Sequence, residues 1–327
     1  MLHSIVAVQE KIAEGKLPLF LAGSESALSQ LPKGNWIGGS IPYFMDVNGG
    51  VCSESQVFVS EAPACVLGAE IREYDTRSLP SICRDAPENG FSFLIMPAGS
   101  PVHLAYAQDA PGYDGLYLKP VIGWISGVHV SQIGKQQPKV FNGRTGGASS
   151  ESAVVMHVAL PPDKLVELDI VNVFQPGSGE TIEFPNSGFS ATECLIDGQS
   201  TNFAQYLSRV QPDRRVPLTA SYNGTIVNVS LQSVDEAAGV VNFYAPVFPD
   251  VKYKFAEPVA DYVDAFKRIV DENAASPTFS CNCILNYLYA NLEGKRTGAI
   301  IGPITFGEIA HQLLNQTLVR LFVRDIA

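Results

Sequence analysis

The chain lacks any stretch that approaches the roughly 20 consecutive apolar residues that a membrane helix needs. Its first ten residues also lack the basic segment and the long apolar run of a secretory signal. We therefore expect a cytoplasmic protein that does not enter a membrane.

Basic residues are scarce. The 327 residues include 22 Lys and Arg against 33 Asp and Glu, which gives a formal net charge of −11. A surface of this sign repels a phosphate backbone and an anionic membrane. Neither nucleic acid nor a membrane is expected as a partner.

Cysteine is also too sparse for a disulfide framework, with six residues in the whole chain. Cys281 and Cys283 form a Cys-x-Cys, but no second pair or adjacent histidine completes a zinc set. We expect no metal site and interpret both thiols as buried and small. A contact of Cys281 with a ligand stays open as the alternative.

Two familiar catalytic signatures are missing as well. The glycine-rich segment 142–147 lacks the Lys-Ser/Thr of a phosphate loop, and no Gly-x-Ser-x-Gly is present. Ser24 and Ser26 follow a predicted strand, and a helix cap is the better interpretation of them. The sequence holds no complete set of parts for a known mechanism.

The residues that are present suit a large globular core, since 46% are hydrophobic and 17% charged. Hydrophobic periodicity predicts helices at 2–16, 201–210, 258–272 and 283–292, with short strands between 57 and 173. The alternation predicts an α/β or α+β fold with mixed β-sheets and flanking helices.

An internal echo predicts two similar halves. Residues 19–41 run strand, small polar turn, helix, glycine and an Ile-Gly strand, and residues 278–306 repeat that order. The Asp-Gly at 197–198 is the best candidate for a boundary. It divides the chain into domains 1–198 and 199–327.

The same motifs resemble a known family. Pro-Leu-Phe-Leu-Ala-Gly-Ser at 18–24, Trp-Ile-Gly-Gly-Ser at 36–40 and Leu-Ile-Asp-Gly at 195–198 resemble the N-terminal part of the FIST sensory module. Phe-Ser-Cys at 279–281, Gly-Glu-Ile at 307–309 and Asn-Gln-Thr at 315–317 resemble its C-terminal part. The resemblance implies a bacterial intracellular sensor that binds a small ligand, such as an amino acid or another small metabolite, and signals to a separate protein.

Polar residues at the ends of the predicted C-terminal strands are the candidates for a ligand site. Asn282 caps a helix or faces a pocket, Glu308 either caps the following helix-like segment or binds a ligand, and His311 would share its helical face. Asn315 and Thr317 either bind the ligand or terminate the helix. The predicted site is Cys281, Asn282, Glu308, His311, Asn315 and Thr317.

The expected function is therefore that of a non-catalytic small-molecule receptor, with no cofactor specified. One rival is a hydrolase that uses Cys281, Glu308 and His311. A second rival is a haem-based gas sensor, for which His103 and His129 are the candidate ligands.

Overall fold

The computed structural model describes residues 1–222, 225–269 and 276–326. It has an α+β fold in which short helices flank several mixed β-sheets, as the sequence predicts. Within these residues no helix combines the length and the apolar character needed to cross a membrane.

Three successive segments of the chain share one order of elements: strand, helix, strand, helix and four strands. Repeat 1 comprises residues 2–61. Its elements are β1 (Leu2–Ser4), α1 (Ile5–Glu14), β2 (Leu19–Gly23), α2 (Glu25–Leu28), β3 (Trp36–Ser40), β4 (Tyr43–Asp46), β5 (Gly49–Cys52) and β6 (Gln56–Glu61).

Repeat 2 comprises residues 68–159. Its elements are β7 (Gly68–Tyr74), α3 (Ile82–Asp85), β8 (Gly90–Pro97), α4 (Pro101–Asp109), β9 (Val121–Ser126), β10 (Val140–Asn142), β11 (Gly147–Ser149) and β12 (Ala153–Ala159). The sequence pattern predicts only strands in this region, so both α3 and α4 are absent from the prediction. The signal for α4 was present, because Ser100 caps the helix and Pro101 occupies its first position.

Repeat 3 comprises residues 164–325 and carries a large insert, defined here as residues 172–261, after its first strand. Its own elements are β13 (Lys164–Val171), α6 (Tyr262–Ile269), β23 (Phe279–Cys283), α7 (Ile284–Tyr289), β24 (Gly302–Thr305), β25 (Glu308–Ala310), β26 (Gln312–Leu314) and β27 (Leu318–Asp325). The end of the helix predicted at 258–272 lies outside the described residues. The insert contains β14 (Ile182–Glu183), β15 (Gly188–Ala191), β16 (Glu193–Ile196), β17 (Gln199–Asn202), α5 (Phe203–Val210), β18 (Leu218–Tyr222), β19 (Thr225–Val229), β20 (Leu231–Asp235), β21 (Val240–Val247) and β22 (Tyr253–Phe255).

The repeats form three six-stranded sheets of equivalent strand order: β1-β6-β2-β3-β10-β11, β7-β12-β8-β9-β25-β26 and β13-β27-β23-β24-β4-β5. In each sheet the second and third strands of a repeat pair in parallel, and every other pairing is antiparallel. The last two strands are a hairpin supplied by another repeat. Repeat 2 supplies the hairpin β10–β11 to the first sheet, repeat 3 supplies β25–β26 to the second, and repeat 1 supplies β4–β5 to the third. Each repeat therefore gives a hairpin to one of the other repeats and receives a hairpin from the remaining one.

The strand–helix–strand unit that the echo predicts at residues 19–41 and 278–306 is present at both places, within three repeats rather than two similar halves. β2, α2 and β3 form one unit and β23, α7 and β24 form the other, each with its two strands in parallel. β8, α4 and β9 are a third copy that the sequence reading did not separate. Asp197 and Gly198 form a turn between β16 and β17, which pair with each other. The domain boundary at residue 198 stays a prediction.

The prediction of a helix-like segment after Glu308 is wrong. Residues 308–314 form β25 and β26, and the chain reverses at His311, whose φ is +61°. β25 pairs with β9 on one side and β26 on the other, and Ile309 is completely buried there. Pairing with a distant strand thus overrides the local helical pattern. Glu308 therefore caps no helix, and it shares no helical face with His311.

Candidate functional site

A cavity of about 760 Å³ lies where the insert meets repeat 3. This volume falls in the usual range for small-molecule sites. Phe174, Arg215, Val216 and the segment 258–263 form the wall that the insert and the start of α6 contribute. Repeat 3 contributes Asn286, Tyr289, Ala290, Lys295, Arg296 and Gln316. The cavity belongs to the part of the molecule that breaks the threefold repetition.

The buried floor of the cavity is polar. Asn286, on α7, is 1% exposed and donates from Nδ2 to Asn282 Oδ1 at 2.9 Å. Its Oδ1 has no hydrogen-bond partner among the residues that the structure describes. Tyr262 places its hydroxyl 3.5 Å from Asn282 Oδ1, and burial raises the pKa of that hydroxyl. The floor therefore contains one buried acceptor without a partner and a hydroxyl that stays protonated.

Gln316 joins the floor to the rim of the cavity. It is 1% exposed, and its Nε2 donates to the backbone oxygen of Arg215 at 3.0 Å. A Ser-Glu-Ser triplet directly precedes the last strand in repeats 1 and 2, at 53–55 and 150–152, and Asn-Gln-Thr occupies that place in repeat 3. The central glutamates Glu54 and Glu151 are exposed. In repeat 3 the insert covers this turn, and the central residue is the uncharged Gln316 instead of a glutamate. This fits the burial of the position, because burying an unpaired charge is costly.

In the described part of the chain, the rim of the cavity carries four basic side chains, all of them exposed: Arg215, Lys267, Lys295 and Arg296. Among the residues that the structure describes, Asp213 and Asp261 are the acidic ones of the lining. Asp213 pairs with Arg215 at 2.7 Å, and Asp261 accepts from the backbone nitrogen of Asp264 at the start of α6. The rim thus has more positive than negative charge.

Glu308 lies in a separate, closed polar cluster behind the cavity floor. It is completely buried, and its Oε2 accepts from the backbone nitrogen and Oγ1 of Thr317 at 3.2 and 2.7 Å. Oε1 has no partner among the described residues. Burial raises the pKa of Glu308 to about 8, against the hydrogen bonds from Thr317 that favour the charged form. The carboxyl group is therefore mostly neutral at pH 7.

The two predicted thiols are buried, at 1% exposure each. Burial, followed by the nearby Glu308 carboxyl, raises the pKa of both well above the ordinary value. Cys281 Sγ lies 3.7 Å from the backbone oxygen of Gly123. A nucleophilic cysteine needs a lowered pKa and access, so this geometry does not favour the hydrolase alternative.

Asn315 lies in a buried amide network that ties the insert to repeat 3. Its Oδ1 accepts from the backbone nitrogen of Ser230 at 3.1 Å, and its Nδ2 donates to the backbone oxygen of Asn228 at 2.9 Å. Asn228 in turn donates to the backbone oxygens of Asn315 and Gln316. The polar atoms of Asn315 are engaged within the protein, and the residue does not line the cavity.

His311 is separated from the other predicted residues. Its Nδ1 bonds the backbone oxygen of Leu116 at 2.9 Å, and its own backbone oxygen accepts from the Tyr106 hydroxyl. Burial lowers its pKa. It shares no hydrogen-bond partner with Glu308 in the described part of the chain, so the two do not form an acid–base pair.

The histidines proposed as haem ligands lie in two different places. His103 is buried on α4, where its Nδ1 accepts from the backbone nitrogen of Gly99, and burial lowers its pKa to about 4. His129 stacks on Tyr43 and bonds Ser131. Across residues 1–222, 225–269 and 276–326, no three His, Cys, Asp or Glu side chains are grouped so that they could hold a metal ion.

The structure thus brings together Cys281, Asn282, Glu308 and Thr317 as one buried cluster, with Asn315 and His311 outside it. Sequence reasoning missed the cavity itself, including Tyr262 and the basic rim. The adjacent Lys295 and Arg296 were a weak signal in an acidic chain.

Residues 3–324 match the model of a family of unknown function, DUF6976. Since the match spans nearly the whole chain, the protein belongs to this family. No curated protein matches the chain.

Proposed function

We propose that the protein is a non-catalytic receptor for a small molecule, which binds in the cavity between the insert and repeat 3. The observation that carries the proposal is the unpartnered Oδ1 of Asn286 on the buried floor of a cavity of about 760 Å³. A buried polar atom without a partner is costly. A ligand N–H or O–H group at this point would relieve that cost.

The buried cluster behind the floor supports this role rather than catalysis. Asn282 links the two regions, because its Oδ1 accepts both from Asn286 and from the backbone nitrogen of Cys283. Glu308 and the two thiols lie deeper and have pKa values that oppose ionisation. They hold the floor in place and do not supply a charged nucleophile or base.

The resemblance to the FIST module extends the proposal. On that basis the receptor works in the bacterial cytoplasm and passes its ligand occupancy to a separate signalling protein. The insert is the element through which this would occur, since it forms one wall of the cavity and is tied to repeat 3 by the network around Asn315.

Thermal denaturation against a panel of amino acids, nucleobases and small organic acids tests the proposal. A ligand at 100 times its dissociation constant adds about 2.7 kcal/mol to the free energy of unfolding. We expect Tyr262→Phe and Asn286→Ala to reduce the stabilisation, and Tyr117→Phe, at a half-exposed tyrosine outside the cavity, to leave it unchanged. Stabilisation that survives both cavity substitutions would place the binding site elsewhere.

A further inference from the structure

The charge around the cavity differs in sign from the charge of the molecule. The chain carries 33 acidic and 22 basic residues, whereas the described residues that line the cavity include four basic and two acidic side chains. One of the acids, Asp213, is already paired with Arg215. Like charges held together on one rim repel each other, so a bound anion would stabilise the arrangement.

Three separate elements supply the basic side chains. Val263 and Lys267 lie one turn apart on the cavity face of α6, while the ion pair of Asp264 and Arg268 lies on another face. Lys295 and Arg296 follow α7, and Arg215 belongs to the insert. In the described ranges, Arg215 alone among the four forms an ion pair. The positive rim is therefore a property of the assembled cavity and not of one segment.

The rim and the floor of the cavity favour different chemical groups on a ligand. The rim, with Lys267, Lys295 and Arg296, suits anionic oxygens, and Arg in particular suits carboxylate and phosphate groups. The floor, with the free Oδ1 of Asn286, suits a hydrogen-bond donor. One molecule of the size that the cavity admits can carry both anionic oxygens and a hydrogen-bond donor.

We propose that the ligand of this cavity is a small organic anion whose carboxylate or phosphate group binds at the basic rim and whose N–H or O–H group donates to Asn286. This inference rests on the proposed function and adds the chemical class of the ligand.

The test uses citrate and inorganic phosphate as probes, titrated into the full chain at constant ionic strength and followed by thermal denaturation. We expect saturable stabilisation by at least one of the two, and a loss of about tenfold or more in affinity in Lys295→Gln/Arg296→Gln, as expected for the removal of a charge-assisted contact. The matched control is Arg77→Gln/Lys135→Gln, at two exposed basic residues outside the cavity. It is expected to bind both probes as the unchanged protein does.

Lys267→Gln is the second variant, for use if the double substitution does not fold. The inference is overturned if neither probe gives saturable stabilisation, or if the cavity variants and the control bind alike. It is also overturned if a neutral compound from the panel binds in a manner that depends on Asn286 but not on Lys295 and Arg296. In that last case the proposed receptor function stands, so the two failures are distinguishable.

Discussion

Thr317 donates two hydrogen bonds to one carboxyl oxygen of Glu308, from its backbone nitrogen at 3.2 Å and from its Oγ1 at 2.7 Å. Glu308 begins β25, which is paired in the sheet of repeat 2, and Thr317 directly precedes β27 in the sheet of repeat 3. This contact therefore holds two sheets together where the hairpin passes from one to the other. The same contact fixes the fully buried carboxyl group of Glu308 behind the cavity floor.

The buried acid predicts a loss of stability at alkaline pH. The pKa of Glu308 is about 8 in the folded protein against an ordinary 4.5, so the folded state binds more protons than the unfolded state between these values. The contribution of Glu308 to the free energy of unfolding is then fully present below pH 4.5 and is lost as the pH rises through about 8. One proton corresponds to a slope of at most about 1.4 kcal/mol per pH unit.

Glu308→Gln removes the titrating group and keeps its size and its acceptor for Thr317. We expect this variant to lose less stability between pH 6 and pH 9 than the unchanged protein, as measured by urea denaturation at each pH. Glu293→Gln is the control, because Glu293 is exposed. Parallel pH profiles for the unchanged protein and Glu308→Gln would show that Glu308 is ionised throughout this range.

Asn315 is predicted to stabilise the junction of the insert with repeat 3. Asn315→Ala leaves the backbone nitrogen of Ser230 and the backbone oxygen of Asn228 without their partner in a buried site. The expected loss is about 1–3 kcal/mol for a buried group left unsatisfied. Asn186→Ala, at an exposed asparagine of the insert, should change the free energy of unfolding by less than about 0.5 kcal/mol. Equal effects in the two variants would contradict the assigned role.

Gly302 is predicted to be required for the close approach of β23 and β24. A Cβ atom at this position would lie 2.0 Å from the backbone oxygen of Ser280, which cannot move without breaking the sheet. Gly302→Ala should cost about 1–3 kcal/mol or more. Gly68→Ala is the matched control, since nothing lies within 4 Å of its added Cβ. Circular dichroism melts compare the two, and an unaltered Gly302→Ala protein would refute the argument.

Local sequence patterns were enough to predict much of the secondary structure. Helix caps and periodicity indicated α1, α2, α5 and α7, and the echo between 19–41 and 278–306 indicated a repeated strand–helix–strand unit. The third copy could have been found too, because Ser-Glu-Ser occurs directly before the last strand at both 53–55 and 150–152. These signals are local, so they can be read from one segment at a time.

The hairpin exchange and the cavity could not be predicted in the same way. β25 is a strand because it pairs with β9, which lies far away in the sequence, and its own residues show a helical pattern. The cavity likewise exists only where the insert meets α7 and the turn before β27. Glu308 can be singled out from the sequence, but its closed environment depends on Thr317 across two sheets. Such features follow from long-range contacts that no local motif encodes.

Hydrogen–deuterium exchange, with and without the compound that stabilises the protein most in the panel, tests the central claim most directly. The ligand site proposed here predicts slower exchange in peptides that cover 258–263, 284–290 and 295–296, which line or flank the cavity. Exchange in the segment 24–42, on repeat 1, should not change. Protection confined to other segments would contradict the account, and so would a panel in which no compound stabilises the protein.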